Sequence, residues 1–412
     1  MFQEFNPIHF LPLLQIWAYV GVAASVLTAI FFFVRRPQSL FIEWLKNFIG
    51  ALFLFSGAVK AVDPMGTSLK MQDYFAELSL SSLNSWTLFL AIGMIVLEMY
   101  IGINLVLGVW KKTTLLIAIP LMVYFTLLTG YTALTGRVTD CGCFGDFLKL
   151  KPYVSFIKDI ILLAPISILY LQRDKMTTLF TSGAIGAALS TTVTIGWAVF
   201  CVQNYYWDEP IVDFRPFKIG TDIVAAKAAE QEKVSKNPIT FVYKNKADGK
   251  ELRFTAETMP KDLVWADWEL KERIEQKVEV SKVADYLING PHGEDITPML
   301  TSRDGYSFAV IVSDREHTDL SYFKEINELA AAAQKDNVPI YGVMNISDST
   351  QVANFTAATK TAFPFFTADE KLLKTMIRSN PGVFLFKKGL IVHKWHRLKL
   401  PDYAAIKGEF LK

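Results

Sequence analysis

Long apolar runs separated by short polar connections fill the first half of the chain. Six of them approach the ~20 mostly apolar residues needed to cross the hydrocarbon core of a bilayer. They span Phe10–Val34, Leu45–Val62, Trp86–Trp110, Thr113–Leu134, Val154–Leu171 and Leu179–Cys201. Lys46, Asn47, Lys158 and Asp159 fall near the ends of the second and fifth runs, which places them at a polar boundary that the lysines reach by snorkelling. The first run is expected to stay as a helix rather than be cleaved as a signal peptide, since no basic residue precedes it and no small-x-small site follows.

Beyond about Tyr206 the pattern becomes that of soluble protein. Pro210–Phe217 is punctuated by proline and is expected as an extended exit strap. Ile239–Lys244 and Glu251–Thr255 flank the turn residues Ala247-Asp248-Gly249 and predict a β-hairpin. From Ser307 onward, buried strands are expected at Phe308–Val312 and Val338–Met344, and helices at Leu320–Lys335, Asp348–Thr361 and Glu370–Ser379. A closing hairpin pairs Gly382–Phe386 with Ile391–Trp395.

The net charge of +2, from 42 basic and 40 acidic residues, gives no reason to expect nucleic acid as a partner. The positions of the charges say more. Arg35, Arg36, Lys111, Lys112, Arg173 and Lys175 all lie in alternate connections, which the positive-inside rule makes cytoplasmic. The loops Asp63–Ser85 and Gly136–Tyr153 and everything after Cys201 then lie outside. In a bacterium this makes a multi-pass inner-membrane protein with a periplasmic C-terminal domain, in a compartment where disulfides persist.

Two of the three cysteines lie in Thr139-Asp140-Cys141-Gly142-Cys143-Phe144-Gly145-Asp146, between the fourth and fifth runs. In extended chain, residues two apart face the same side with Cα atoms near the ~6.8 Å upper limit for a disulfide, so joining them requires a bend that Gly142 permits. So small a ring would be strained and therefore reducible. A reversible Cys141/Cys143 couple is one reading. Two unreactive structural thiols, or a metal-ligand pair completed by Asp140 and Asp146, are the others. Cys201, ending the last run, reads as a small buried residue.

Glu98 lies midway along the third run, where an ionised carboxylate must be protonated or paired. Quinone or proton handling would account for it, as would a packing hydrogen bond to Tyr124 or Thr126. Ser56 and Lys60 share a helix face at i, i+4. They either line a membrane pocket under the cysteine loop, with Asp63, Glu98 and Asp146, or reflect a lysine snorkelling toward Asp63. Asp63-Pro64 is expected to start a turn.

The segment Phe55–Pro64 with CGCFGD resembles the four-helix MauE/DoxX membrane family over about Leu45–Leu171. That resemblance implies a redox-associated membrane protein, with branches tied to methylamine dehydrogenase maturation and to thiosulfate:quinone oxidoreduction. The strand and helix order over Val283–Lys412, with Asn380-Pro381 before a strand, resembles the thioredoxin-like fold of peroxiredoxin type and implies a cis Pro381. Where that family carries Cys-x-x-Cys, this chain has Asp314-Arg315-Glu316-His317-Thr318-Asp319, and no cysteine follows Cys201. Thiol exchange by the soluble half is thereby excluded. His317 reads as an exposed helix entry, with a metal site beside Asp314 or Glu316 the alternative; His393 and His396 point to opposite faces of a strand.

The expected organisation is an extra N-terminal transmembrane helix and cytoplasmic loop (1–44), a four-helix membrane domain (45–172), a last transmembrane helix (173–206), a linker with a β-hairpin (207–282) and a thioredoxin-like domain (283–412). The expected function is thiol–disulfide or electron transfer at the extracytoplasmic face through Cys141 and Cys143, with quinone the candidate cofactor. The domain around Pro381 and His317 would bind an extracytoplasmic protein client. The alternative is a non-catalytic assembly or maturation factor holding such a client; a transporter finds no support in internal repeats.

Overall fold

The computed structural model describes residues 7–138, 140–260, 264–274, 283–346 and 348–411. The chain forms two compact units, Met1–Phe214 and Arg215–Lys412.

In the first unit the helices are α1 (Leu11–Arg35), α2 (Leu40–Val62), α3 (Pro64–Glu77), α4 (Thr87–Leu107), α5 (Lys111–Thr135), α6 (Pro152–Leu171) and α7 (Gly183–Tyr206). Among the described residues six helices, all of these but α3, are long and apolar enough to cross a membrane, as the hydrophobic pattern predicts. α2 is the hub, packing on both α1 and α4, while α5 pairs with α6 and α4 also carries α7. Glycine makes the α2–α4 approach close: a Cβ on Gly102 would sit 2.8 Å from the Leu54 amide nitrogen and 2.9 Å from the Gly50 carbonyl oxygen. Small residues at such a crossing let the backbones touch, which is the main source of attraction between helices in lipid.

Polar residues expected at the boundary are instead buried, each with a partner inside the bundle. Glu43, Lys46 and Asn47 are fully buried. Glu43 pairs with Lys46 and accepts the Thr177 amide at 3.1 Å, Lys46 Nζ donates to the Thr177 carbonyl at 3.1 Å, and Asn47 donates to Thr28 at 3.0 Å. The helix therefore begins five residues earlier than its apolar run. On α6, Lys158 pairs with Asp159, which accepts from Thr129 on α5 at 3.0 Å. Snorkelling is not needed where a partner is within the bundle.

The loop expected after Asp63 is mostly the helix α3. Asp63 accepts the Gly66 amide at 3.1 Å and Pro64 takes the first helical position, so Asp-Pro here is a helix cap rather than a turn. Asn204 on α7 donates to the Ala61 and Val62 carbonyls at 3.3 and 2.9 Å, covering the C-terminal end of α2.

The second unit opens with α8 (Ile223–Lys236), then β1 (Thr240–Asn245), β2 (Glu251–Thr255) and β3 (Trp268–Ile274). These strands form an antiparallel sheet in the order β2-β1-β3. The β1–β2 hairpin matches expectation; β3 and α8 were not foreseen, β3 because its residues are nearly all exposed and show no apolar face. The strap just before α8 is not free: Phe217 and Ile223 are fully buried, and Gly220 and Thr221 exchange hydrogen bonds of 2.8 and 2.9 Å with Ile391.

The larger layer follows as α9 (Thr297–Thr301), β4 (Tyr306–Val312), α10 (Phe323–Lys335), β5 (Ile340–Met344), α11 (Ser349–Thr359), β6 (Phe365–Thr367), α12 (Glu370–Met376), β7 (Gly382–Lys387), β8 (Leu390–His396) and α13 (Tyr403–Glu409). Its sheet runs β6-β5-β4-β7-β8, parallel across β4, β5 and β6 and antiparallel across β4, β7 and β8. Alternate residues feed two cores. Ala309, Ile311, Tyr341 and Phe384 join Phe217, Tyr286 and Leu373 on one face. Phe308, Val310, Val383 and Trp395 join Phe323, Leu329 and Phe355 on the other. Covering on both faces is why β4 reads as one continuous apolar run. The Asn380–Pro381 bond before β7 is cis, as expected.

Gly102→Ala is expected to lower the stability of the first unit by about 1–3 kcal/mol, the usual cost of overpacking where backbone cannot give way. Chemical unfolding in mixed micelles measures it; an unchanged midpoint would mean that α2 and α4 are not in backbone contact.

Candidate functional site

Ser56 and Lys60, one turn apart on α2, meet Glu98 on α4. Lys60 Nζ lies 2.5 Å from Glu98 Oε1, and Ser56 Oγ donates at 2.9 Å to the other carboxylate oxygen. Lys60 and Glu98 are buried, so the acid is paired from the neighbouring helix rather than hydrogen-bonded to Tyr124 or Thr126. Lys60 does not snorkel toward Asp63. Removing one charge from such a pair strands the other in a medium that solvates it poorly.

The loop between α5 and α6 folds back onto this pair. Ser56 Oγ is 3.0 Å from the Cys143 carbonyl oxygen, and Tyr74 on α3 donates its hydroxyl to the Cys141 carbonyl at 3.1 Å. Gly142 bends the chain with φ of +66°, and a Cβ there would lie 2.7 Å from Lys70 Cγ. The loop thus needs glycine both for its left-handed backbone and for its closeness to α3. Phe144 is buried against Phe55 at a centroid distance of 5.7 Å.

This bend brings Cys141 Sγ and Cys143 Sγ to 2.7 Å, with both cysteines free. Cys141 Sγ lies 2.6 Å from Ser155 Oγ and accepts the Cys143 amide at 3.3 Å. Burial alone would push the Cys141 thiol up. The hydrogen bond shared with Cys143, the charge of Lys158 and the contact with Ser155 outweigh it and bring the thiol below its ordinary value. Cys143 goes the opposite way, raised by its hydrogen bond to Cys141, by burial and by the neighbouring sulfur's charge. Of the two, Cys141 is therefore the more acidic thiol.

Lys70 adds a second cation beside the loop, paired with Asp140 at 3.0 Å and Asp73 at 3.3 Å. Burial would lower the Lys70 ammonium, but the two carboxylates raise it above its ordinary value. Asp63 and Asp146 flank Gly66, whose missing Cβ would sit 3.0 and 3.1 Å from their carboxylate oxygens. The two sulfurs, Ser56, Lys60, Lys70, Glu98 and Lys158 line one cavity of about 410 Å³, most of whose wall is apolar.

The structure brings Cys141, Cys143, Ser56, Lys60 and Glu98 together, with Asp63 and Asp146 beside α3. Cys201 stands apart in an apolar cluster with Ala61 and Ile95. Among the described residues no three His, Cys, Asp or Glu side chains gather as a metal site. Tyr74, Lys70 and Ser155 were missed in the sequence. Lys158 and Asp159, charges inside an apolar run, were the available signal.

In the second unit, His317 is exposed and its ring faces Asp314 at 3.1 Å. Asn380, which precedes Pro381, donates to the Asp314 carbonyl at 2.6 Å and accepts from Thr318 Oγ1 at 3.1 Å. The His317 loop and the Pro381 turn are thus joined through Asn380.

Every element lining the cavity falls in one stretch of sequence, α2 to α6. Residues 38–172 match the family described as Methylamine utilisation protein MauE. The membrane resemblance expected over about Leu45–Leu171 is borne out for MauE, and the MauE region contains the cysteine loop, the buried ion pair and the whole cavity wall. No curated protein and no solved structure matches the chain.

Two outcomes are expected from variants of the MauE region. Glu98→Ala should destabilise it by about 3–5 kcal/mol, and Lys60→Met together with Glu98→Met should recover most of the loss, as judged by unfolding in micelles. In wild type, alkylation should label Cys141 before Cys143 and at a pH below that of an ordinary thiol; Ser155→Ala should move that profile to higher pH.

Proposed function

We propose that this protein is a membrane thiol–disulfide or electron-transfer protein whose exchanging group is the Cys141/Cys143 pair. The observation that carries this reading is the 2.7 Å separation of the two sulfurs in a loop that packs directly on buried charges. In this reading Cys141, the more acidic thiol of the reduced pair, loses its proton first. Forming the S–S bond releases two electrons to an acceptor, with the remaining thiol proton leaving to solvent or to the acceptor. A pair this close can close without moving the helices that frame it.

The pair faces the extracytoplasmic side of a bacterial inner membrane in this reading, because Arg35, Arg36, Lys111, Lys112, Arg173 and Lys175 mark the opposite face as cytoplasmic. The β6-β5-β4-β7-β8 order with a cis proline before β7 supports a thioredoxin-like identity for the second unit. Its role would be to bind a protein client near Pro381 and His317, since it has no thiol of its own. That absence also favours a second reading, a maturation factor that holds its client without chemistry. The match to a methylamine utilisation family is compatible with both.

Thiol trapping in native membranes distinguishes them. A mass-tagging maleimide should add two tags to Cys141 and Cys143 after reduction and none after oxidation, and Cys141→Ser should abolish function. Two free thiols under every condition, with full function retained when both cysteines are replaced, would leave the holding role alone.

A further inference from the structure

The two sulfurs are neighbours, yet their surroundings differ. Cys141 is 8% exposed and packs into the apolar core of the bundle. Its sulfur touches Ser155 Oγ at 2.6 Å and accepts the Cys143 amide at 3.3 Å, and its carbonyl is held by the Tyr74 hydroxyl at 3.1 Å. Cys143 is only partly buried. Among the described residues its sulfur has no hydrogen-bond partner other than Cys141.

Two separate requirements of thiol–disulfide exchange then select the same sulfur. An entering thiolate must reach the sulfur it attacks, approaching from the side away from the one that leaves. Cys141, enclosed and already in contact with Ser155, gives little room for that approach; Cys143 is partly open. Exchange is also faster when the departing sulfur is the more acidic thiol. That thiol is Cys141, which has the charge of Lys158 and the hydroxyl of Ser155 in its favour, both from α6.

We propose that the two cysteines have fixed and unequal roles: Cys143 is the sulfur that bonds to the partner, and Cys141 is the sulfur that leaves and later resolves, with Ser155 and Lys158 as its positioning residues. The inference rests on the redox reading above and names a dithiol as the partner of the closed pair. One partner thiolate attacks Cys143 Sγ; the Cys141–Cys143 bond breaks, its electron pair passes to Cys141 as a thiolate, and a mixed disulfide joins the partner to Cys143. The partner's second thiolate then attacks its own sulfur in that mixed disulfide and expels Cys143. The partner leaves oxidised by two electrons, the pair is reduced by two, and the two protons of the partner dithiol pass to the cysteines or to solvent. In the reverse direction the Cys141 thiolate attacks Cys143 Sγ in the mixed disulfide and releases the partner. Acidity and bonding therefore single out different residues: alkylation of the reduced protein marks Cys141 first, whereas the partner is carried on Cys143.

The test uses full-length protein in lipid nanodiscs, closed with diamide and freed of it. The protein is mixed briefly with glutathione or with benzyl mercaptan, which suits an apolar approach, and quenched with excess N-ethylmaleimide. Fragmentation of the loop peptide should place the added thiol on Cys143 and the maleimide on Cys141, in about tenfold or greater excess over the reverse arrangement. Ser155→Ala should slow the opening and shrink that excess, because Cys141 becomes a poorer leaving group; its unfolding midpoint reports whether it is folded. Addition mainly to Cys141, an even split, or a closed pair that neither thiol opens would overturn the division of roles while leaving a pair that closes. If diamide does not close the pair, the redox reading itself falls.

Discussion

A charge that leaves water for the interior of a helical bundle must bring its partner with it, and the membrane unit is arranged around that requirement. Lys60 on α2 meets Glu98 on α4, and the same carboxylate holds Ser56, which reaches the carbonyl of Cys143. The pair therefore does more than neutralise itself. It sets the height at which α2 and α4 cross, and it supplies the polar floor on which the cysteine loop rests. The glycine contact between Gly102 and Leu54 lies one turn beyond Glu98 and holds α2 and α4 close beside the pair.

The second buried charge pair, Lys158 with Asp159 on α6, works from the other side of the loop. Its cation biases Cys141 toward the thiolate, while Asp159 is itself held by Thr129 of α5. Four helices thus converge on one loop of the chain. The cysteines owe their unequal proton affinities to each other and to Ser155, Lys158 and Asp159 of α6, which is why the loop sequence alone carries little of the chemistry.

Much of the architecture was legible because it rests on periodicity. Six apolar runs gave six spans, and the β4, β5, β7 and β8 strands emerge from runs buried on one or both faces. The elements that stayed hidden lack such a pattern. α3 has a weak apolar stripe and announces itself only through Asp63-Pro64, a dipeptide that serves a turn or a helix cap equally well. β6 is three residues long. At the candidate site, Cys141, Cys143, Ser56, Lys60 and Glu98 could be singled out because each is unusual in an apolar setting. Tyr74 and Ser155 could not, because an aromatic residue in a short polar helix and a hydroxyl residue in a membrane helix are both ordinary and matter here only through what the fold brings beside them. Lys46 and Lys158 were misjudged for a related reason: sequence shows a charge near a helix end but not the partner waiting on another helix.

The single residue between Cys141 and Cys143 has a thermodynamic consequence. A cross-link stabilises a fold mainly by removing freedom from the unfolded chain, and that effect grows with the length of the loop enclosed. Joining neighbours this near encloses almost no chain, so the unfolded ensemble scarcely notices whether the bond exists. In the proposed exchange, closing this bond would therefore add almost nothing to the stability of the scaffold through the unfolded chain.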